Sequence, residues 1–292
     1  MRPVKGATIG MFDGVHCGHR HLLSQLKEHC DEALAVTFAN HPLDVIDNTR
    51  KPQLISTPDE KEELLRSEGV TPVMLRFDEE LRQLTAEHFI RILAREHGIE
   101  RLVLGFNNSI GSDRCATPEE LQRVSEFNGV EITRATELPG NMKVNSSAVR
   151  DLIQNGNIRE ASRMLGRPYS LQGKVVHGKQ LGRTIGFPTA NIAVEHPDKL
   201  IPADGVYSAH AVTSDGDTYL AVVNIGHRPT VDNPQSARTI EAYLDGFSGN
   251  LYDSTVTLRF VDRIRGEKKF NSVDELRRQI SRDVEQARGS SI

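Results

Sequence analysis

The chain has 292 residues, which suits two ordinary domains and exceeds a single small disulfide-stapled module. Lysine and arginine total 36 against 40 aspartates and glutamates, so the net charge of −4 excludes a polyanion binder that works by bulk charge. Apolar runs recur throughout and no segment is low in complexity, which excludes disorder as the main theme. The longest of these runs, such as 34–38 and 220–223, are strand-sized and far short of the roughly 20 residues a membrane helix needs. Met1-Arg2-Pro3-Val4-Lys5 does not lead into a signal-peptide core. Cys17, Cys30 and Cys115 are widely spaced and form no CxxC, so neither a disulfide framework nor a zinc site is expected, and the cytoplasm fits best.

From residue 7 to about 135, short β-type runs at 7–10, 34–38, 73–77, 102–104 and 130–133 alternate with helical patterns. That rhythm predicts a Rossmann-like parallel α/β sheet. Thr57-Pro58-Asp59-Glu60 and Thr117-Pro118-Glu119-Glu120 each place a hydroxyl before a proline, with a glutamate three residues on, so both read as capping boxes that start helices. A further helical stretch follows Ser146 and stops at Gly166-Arg167-Pro168. The domain boundary is placed there, giving residues 1–165 and 166–292.

Beyond the boundary, strand-like runs at 171–176, 206–212, 218–224, 239–244 and 255–260 follow one another closely, with turns at Asp204-Gly205, Asp215-Gly216 and Asp245-Gly246. This density predicts a small all-β barrel or sandwich in place of a second parallel sheet, and the helix that ends the chain is read as covering a barrel. One helix closes the chain: Ser272 and Glu275 form its capping box, and Val273, Leu276, Ile280 and Val284 share a face that covers the barrel.

Two constellations carry chemistry. After the first strand comes Phe12-Asp13-Gly14-Val15-His16-Cys17-Gly18-His19, then leucines at helical spacing. A strand, a glycine-bearing loop and a helix start offer backbone N–H groups and the positive end of a helix dipole to a phosphate. His16 and His19 could add donors aimed at the charge that builds on an α-phosphate as pyrophosphate leaves; polar helix caps are the plainer explanation of the same pair. No third ligand stands at a metal-motif spacing. Further on, Ser146, Ser147 and Arg150 suit β- and γ-phosphate oxygens, and an ordinary N-cap explains the serines equally well.

The second constellation spans 177–191, a glycine-rich and basic string that contains Gly178, Gly182, Arg183, Pro188, Thr189 and Asn191. Such a loop could wrap phosphates, and it could equally be a barrel-edge loop. Thr189 and Asn191 present two neutral oxygens one residue apart, suited to Mg²⁺ on ATP phosphates.

The FDGVHxGH stretch resembles the HxGH nucleotidyltransferases, and in this form the FAD synthetase half of prokaryotic bifunctional riboflavin kinase/FAD synthetases. Phe38 with His41-Pro42, the segment 105–111 with Asn107, and 144–150 are similar to that family's later motifs. Asn40, Asn108, Ser109 and Ile110 depart from its usual residues. GR-x-x-GFPTAN matches its kinase pattern without a break, and 224–230 resembles its N-I-G-x-R-P-T segment. The resemblance implies that riboflavin is phosphorylated to FMN in the C-terminal half and FMN adenylylated to FAD in the N-terminal half. ATP is co-substrate in both, with Mg²⁺ held at Thr189 and Asn191. The resemblance also makes Glu241 the kinase base, in a context matched by Asp245 and Phe247, with Tyr243 in place of the usual histidine. Solvent exposure is the commoner reason for a strand glutamate. His16 and His19 then serve adenylyl transfer, with Phe12, Asp13, Gly14, Gly18, Asn107, Ser146, Ser147 and Arg150 binding nucleotide. Neither nucleic acid nor a membrane is expected as a partner. Residues 166–292 carry 16 basic and 15 acidic side chains, a net +1, so a tRNA-binding barrel lacks its electrostatic footprint. Two rival functions stay open on the sequence: a kinase that lacks adenylyl transfer, and a flavin sensor without catalysis.

Overall fold

A computed structural model describes residues 2–47, 49, 51–140, 143–178, 182, 185–227 and 238–290. The contacts divide the chain into two compact units, Met1–Ser146 and Ser147–Ile292.

In the first unit the strands are β1 (Lys5–Ile9), β2 (Glu32–Phe38), β3 (Thr71–Leu75), β4 (Arg101–Leu104) and β5 (Glu131–Arg134). They form a parallel sheet in the order β3-β2-β1-β4-β5. The helices are α1 (Cys17–Glu28), α2 (Leu43–Ile46), α3 (Pro58–Ser67), α4 (Glu79–Gln83), α5 (Ala86–His97) and α6 (Pro118–Asn128). Alternation along each strand divides the core between two faces. Leu34, Val36, Leu102 and Leu104 meet Phe89, Ile90 and Leu93 of α5 and Leu121 of α6. Ala35 and Val103 point the other way, to Leu22, Leu23 and Leu26 of α1 and Leu65 of α3. Both expected capping boxes are formed, with Thr57 and Thr117 accepting from the Glu60 and Glu120 amides while each glutamate reaches back.

The second unit opens with α7 (Ser146–Gln154) and α8 (Ile158–Leu165) and continues as β6 (Ser170–Val176), β7 (Thr189–Ala193), β8 (Gly205–Val212), β9 (Thr218–His227), β10 (Arg238–Leu244) and β11 (Thr255–Arg265). These strands close into an antiparallel barrel, β10-β7-β6-β11-β8-β9. The helices α7 and α8, which precede the expected boundary at 165, group with the barrel, where α8 packs on β11. Gly216, at φ +88, makes the β8–β9 hairpin turn that Asp215-Gly216 predicts.

The last helix is α9 (Val273–Ser290), which covers the outer face of the barrel with Ile280, Val284 and Ala287 over Val206, Val222 and Tyr243. Two details differ from the sequence reading. Val273 is 58% exposed and stands off the barrel, because the apolar stripe starts a turn later. Glu275 accepts from the Asn271 amide instead of closing the box on Ser272, although its own amide does bond the Ser272 hydroxyl. The strand β7 is also new: its residues belong to the string that the sequence presents as a loop.

Candidate active sites

In the first unit the site grows from the end of β1. Between Ile9 and Cys17 the backbone turns through positive φ at Phe12 (+50), Gly14 (+79) and Val15 (+38), which brings His16 to the N-cap of α1. His16 is 5% exposed, and its Nδ1 accepts from the His19 amide at 3.2 Å. That bond fixes a neutral ring with its proton on Nε2. The His19 ring stacks on His16 with centroids 3.6 Å apart and planes 12° from parallel, and Phe12 meets His19 edge-on at 5.0 Å. At Gly18 the chain runs close to the His16 ring: a Cβ there would lie 3.3 Å from it, a tight contact that the ring would have to yield to.

Asp13 organises the turn. Its Oδ1 accepts from the Ile55 and Ser56 amides at 2.9 and 3.0 Å, its carbonyl accepts from the Ser146 hydroxyl at 3.0 Å, and the Gly14 amide donates to Ser56 Oγ at 2.9 Å. The Phe12 ring and the Asp13 carboxylate are buried, so the surface these residues offer is chiefly backbone. Asn107 is exposed in the loop that follows β4, the strand beside β1, and Asn108 donates from Nδ2 to the Ile9 carbonyl at 3.3 Å. The sheet reverses its order between β1 and β4, and the loops at this carboxyl edge are where parallel α/β sheets bind ligands. The structure thus joins Asp13, His16, His19 and Ser146. Ser147 and Arg150 lie on α7, within the second compact unit.

The second site is set by strand register. In the β7–β10 ladder Asn191 faces Glu241 and Thr189 faces Tyr243, while β9 sets Asn224 opposite Glu241 from the other side. Cross-strand partners share a face, so Thr189, Asn191, Asn224 and Glu241 form one polar strip. Ile240, Ala242 and Leu244 alternate into the barrel interior and are buried there. Two glycines of the loop lie against the strip. A Cβ at 178 would fall 2.2 Å from Asn191 Nδ2, and one at 182 would fall 2.3 Å from the Phe187 carbonyl and 3.2 Å from Thr189 Oγ1. The backbone therefore crosses directly over the two oxygen donors, and that cradle with its neutral oxygens fits a small hard cation with bound phosphate. Arg183 and the segment 228–230 lie outside the described residues.

A cavity of about 400 Å³ opens beside Pro188 and Thr189, walled by Val175, Phe247, Leu251 and Tyr252. His177 stacks on Tyr252 at 3.9 Å. Sequence reasoning missed this cavity, because 247–252 reads only as a loop after Asp245-Gly246. Its aromatic and leucine content was the available signal. Among the described residues no group of histidine, cysteine, aspartate and glutamate is arranged to hold a metal by itself, and no helix is long and apolar enough to cross a membrane.

Both arrangements present backbone amides and small polar side chains of the kind that suit phosphate, the chemistry of phosphoryl- and nucleotidyl-transferring enzymes. Comparison with known proteins narrows the class. A family model described as FAD synthetase matches residues 3–149, and one described as riboflavin kinase matches residues 165–291. The chain is 36% identical over 290 residues to a bifunctional riboflavin kinase/FMN adenylyltransferase of Pseudomonas fluorescens, covering 97% of this chain and 91% of the relative. It is 35% identical to the protein of that description from Escherichia coli K12, with 96% and 91% covered. A crystal structure described as a macrolide-efflux protein from Streptococcus pneumoniae is similar at a TM-score of 0.88 and 30% identity, covering 99% of this chain and 95% of that one. The chain belongs to the bifunctional riboflavin kinase/FAD synthetase family.

Proposed function

We propose that the two activities of this bifunctional riboflavin kinase and FMN adenylyltransferase are divided between its two units, with the barrel making FMN and the parallel sheet converting FMN to FAD. The observation that carries the reading is the β7–β10 register, which puts Glu241 opposite Asn191 on a strip lined by Gly178 and Gly182.

The 5′-hydroxyl of riboflavin is neutral at pH 7 and must lose a proton as it attacks the γ-phosphoryl group of ATP. Glu241 is the group that accepts it. Gly178 and Gly182 let the loop's amides approach the phosphates, and the cavity beside Thr189, walled by both apolar and polar groups, accommodates the adenine. Thr189 and Asn191 would hold Mg²⁺, which supplies charge neutralisation on the phosphates when bound.

At the other site FMN attacks with a phosphate that is already anionic at pH 7, so the chemistry needs no base. It needs donors aimed at the α-phosphate as pyrophosphate departs. The Nε2–H of His16, the stacked His19 and the amides of the positive-φ turn supply them. Ser146, whose hydroxyl donates to the Asp13 carbonyl, binds the departing phosphates, and the loop with Asn107 contacts the nucleotide. A cytoplasmic location goes with this reading, since ATP and free thiols coexist there.

Incubation with riboflavin, excess ATP and Mg²⁺, followed by chromatography, tests the whole reading. FMN forms first and FAD follows. FMN without FAD would leave a kinase alone, and the absence of both would leave at most a flavin-binding protein.

A further inference from the structure

Lys61, in the first turn of α3, is 5% exposed, and a lysine at that depth requires partners for its ammonium group. Its Nζ donates to the Phe38 carbonyl at 2.7 Å and the Met11 carbonyl at 3.3 Å. Phe38 ends β2, and Met11 lies where the chain leaves β1. One side chain therefore ties the carboxyl ends of two adjacent parallel strands. An ammonium suits this position because it offers three rotatable donors on a long stem. The Met11 carbonyl is further engaged by Thr37 Oγ1 at 3.1 Å.

Met11 leads straight into the turn with positive φ at Phe12, Gly14 and Val15. A non-glycine residue held in the left-handed region is strained and persists only where its surroundings hold it, and a β-branched residue such as Val15 is rare there. Besides Thr37 and Ser146, the holders come from one short segment. Ile55 and Ser56 give their amides to Asp13, Ser56 gives its hydroxyl oxygen to the Gly14 amide, and Lys61 takes Met11. The Asp13 carboxylate also favours the ammonium form against the cost of its burial.

We propose that Lys61 is a positioning residue for adenylyl transfer: by pinning Met11 it keeps the strained turn in the shape that presents its amides, His16 and His19 to the nucleotide. Lys61 acts through the backbone and does not touch substrate. The inference rests on assigning adenylyl transfer to the His16–His19 site, and the test separates the two.

The full chain is prepared as Lys61→Met, Lys61→Arg, Ser56→Ala and His16→Ala. Each is assayed for FAD formation from FMN and ATP, for riboflavin phosphorylation, and for thermal unfolding. Displacement of pre-set donors by about an ångström lowers turnover on the order of 10²-fold. Lys61→Met is expected to show a kcat loss of that order in FAD formation, with KM for ATP within about threefold and riboflavin kinase at the parent rate. Lys61→Arg restores most of the turnover, and Ser56→Ala gives a smaller loss of the same kind.

The proposal is overturned if Lys61→Met, assayed below its unfolding transition, keeps kcat within about threefold of the parent. Should that variant fail to fold, Ser56→Ala and Lys61→Arg decide: parent kcat in Ser56→Ala, or no turnover in a folded Lys61→Arg, counts against it. Undiminished FAD formation by His16→Ala would remove the site assignment instead.

Discussion

At the scale of single residues, the buried ammonium has a consequence for stability that can be measured apart from catalysis. Burial pushes the Lys61 pKa down to about 8 from an ordinary 10.5, with the Asp13 carboxylate offsetting part of the cost. Between these two values the unfolded chain binds more protons at this position than the folded chain. Folded stability therefore rises with pH across that window, and the burial penalty is felt in full below its lower end. Lys61→Met has no such group. Denaturant melts of both proteins across this range are expected to show the parent gaining on the variant by about 3 kcal/mol as pH rises, at about 1.4 kcal/mol per unit. A difference that does not change with pH would contradict the burial of a charged Lys61.

At the scale of elements, a buried ion pair helps fasten the closing helix, beside the more exposed pair of Arg288 and Asp245. Arg265, near the end of β11, donates from Nε and Nη2 to both carboxylate oxygens of Asp283, at 2.8 to 3.1 Å, and Gln279 Nε2 adds a bond of 2.9 Å. Asp283 is 2% exposed, so removing its carboxylate leaves a half-buried guanidinium without its counter-charge. Asp283→Ala is expected to cost about 3 kcal/mol and to speed amide exchange along α9, while exchange in the parallel sheet stays at the parent rate. Unchanged exchange in α9 would show that its apolar stripe and the Arg288–Asp245 pair suffice.

The elements also show what the sequence could reveal. Capping boxes at Thr57 and Thr117 and the alternation of β10 are local signals, and they survive into the structure intact. The strand β7 is different. Thr189-Ala190-Asn191-Ile192-Ala193 has little strand character of its own and becomes a strand because β6 and β10 close on both sides of it. Its pairing converts a motif noticed for its oxygens into a strip shared with Glu241. Lys61 was illegible for a related reason. In an acidic helix start it reads as a solvated charge, and only the approach of Met11 and Phe38 makes it a buried donor. The cavity wall at 247–252 likewise needs the barrel to exist before it encloses anything.

At the scale of the whole molecule, the two units bring different chemistry to one metabolite. Under the proposed function the barrel would supply a carboxylate because its nucleophile is a neutral alcohol, and the parallel sheet would supply donors because its nucleophile is already charged. This difference makes the central claim, two separate sites in one chain, testable with one pair of proteins. His16→Ala and Glu241→Gln are each given riboflavin with ATP and Mg²⁺, then FMN with ATP and Mg²⁺, and the flavins are separated over time. His16→Ala is expected to accumulate FMN from riboflavin and to make no FAD from either flavin. Glu241→Gln leaves riboflavin unconverted and turns supplied FMN into FAD at the parent rate. Loss of both products in either variant, with the fold intact, would contradict it.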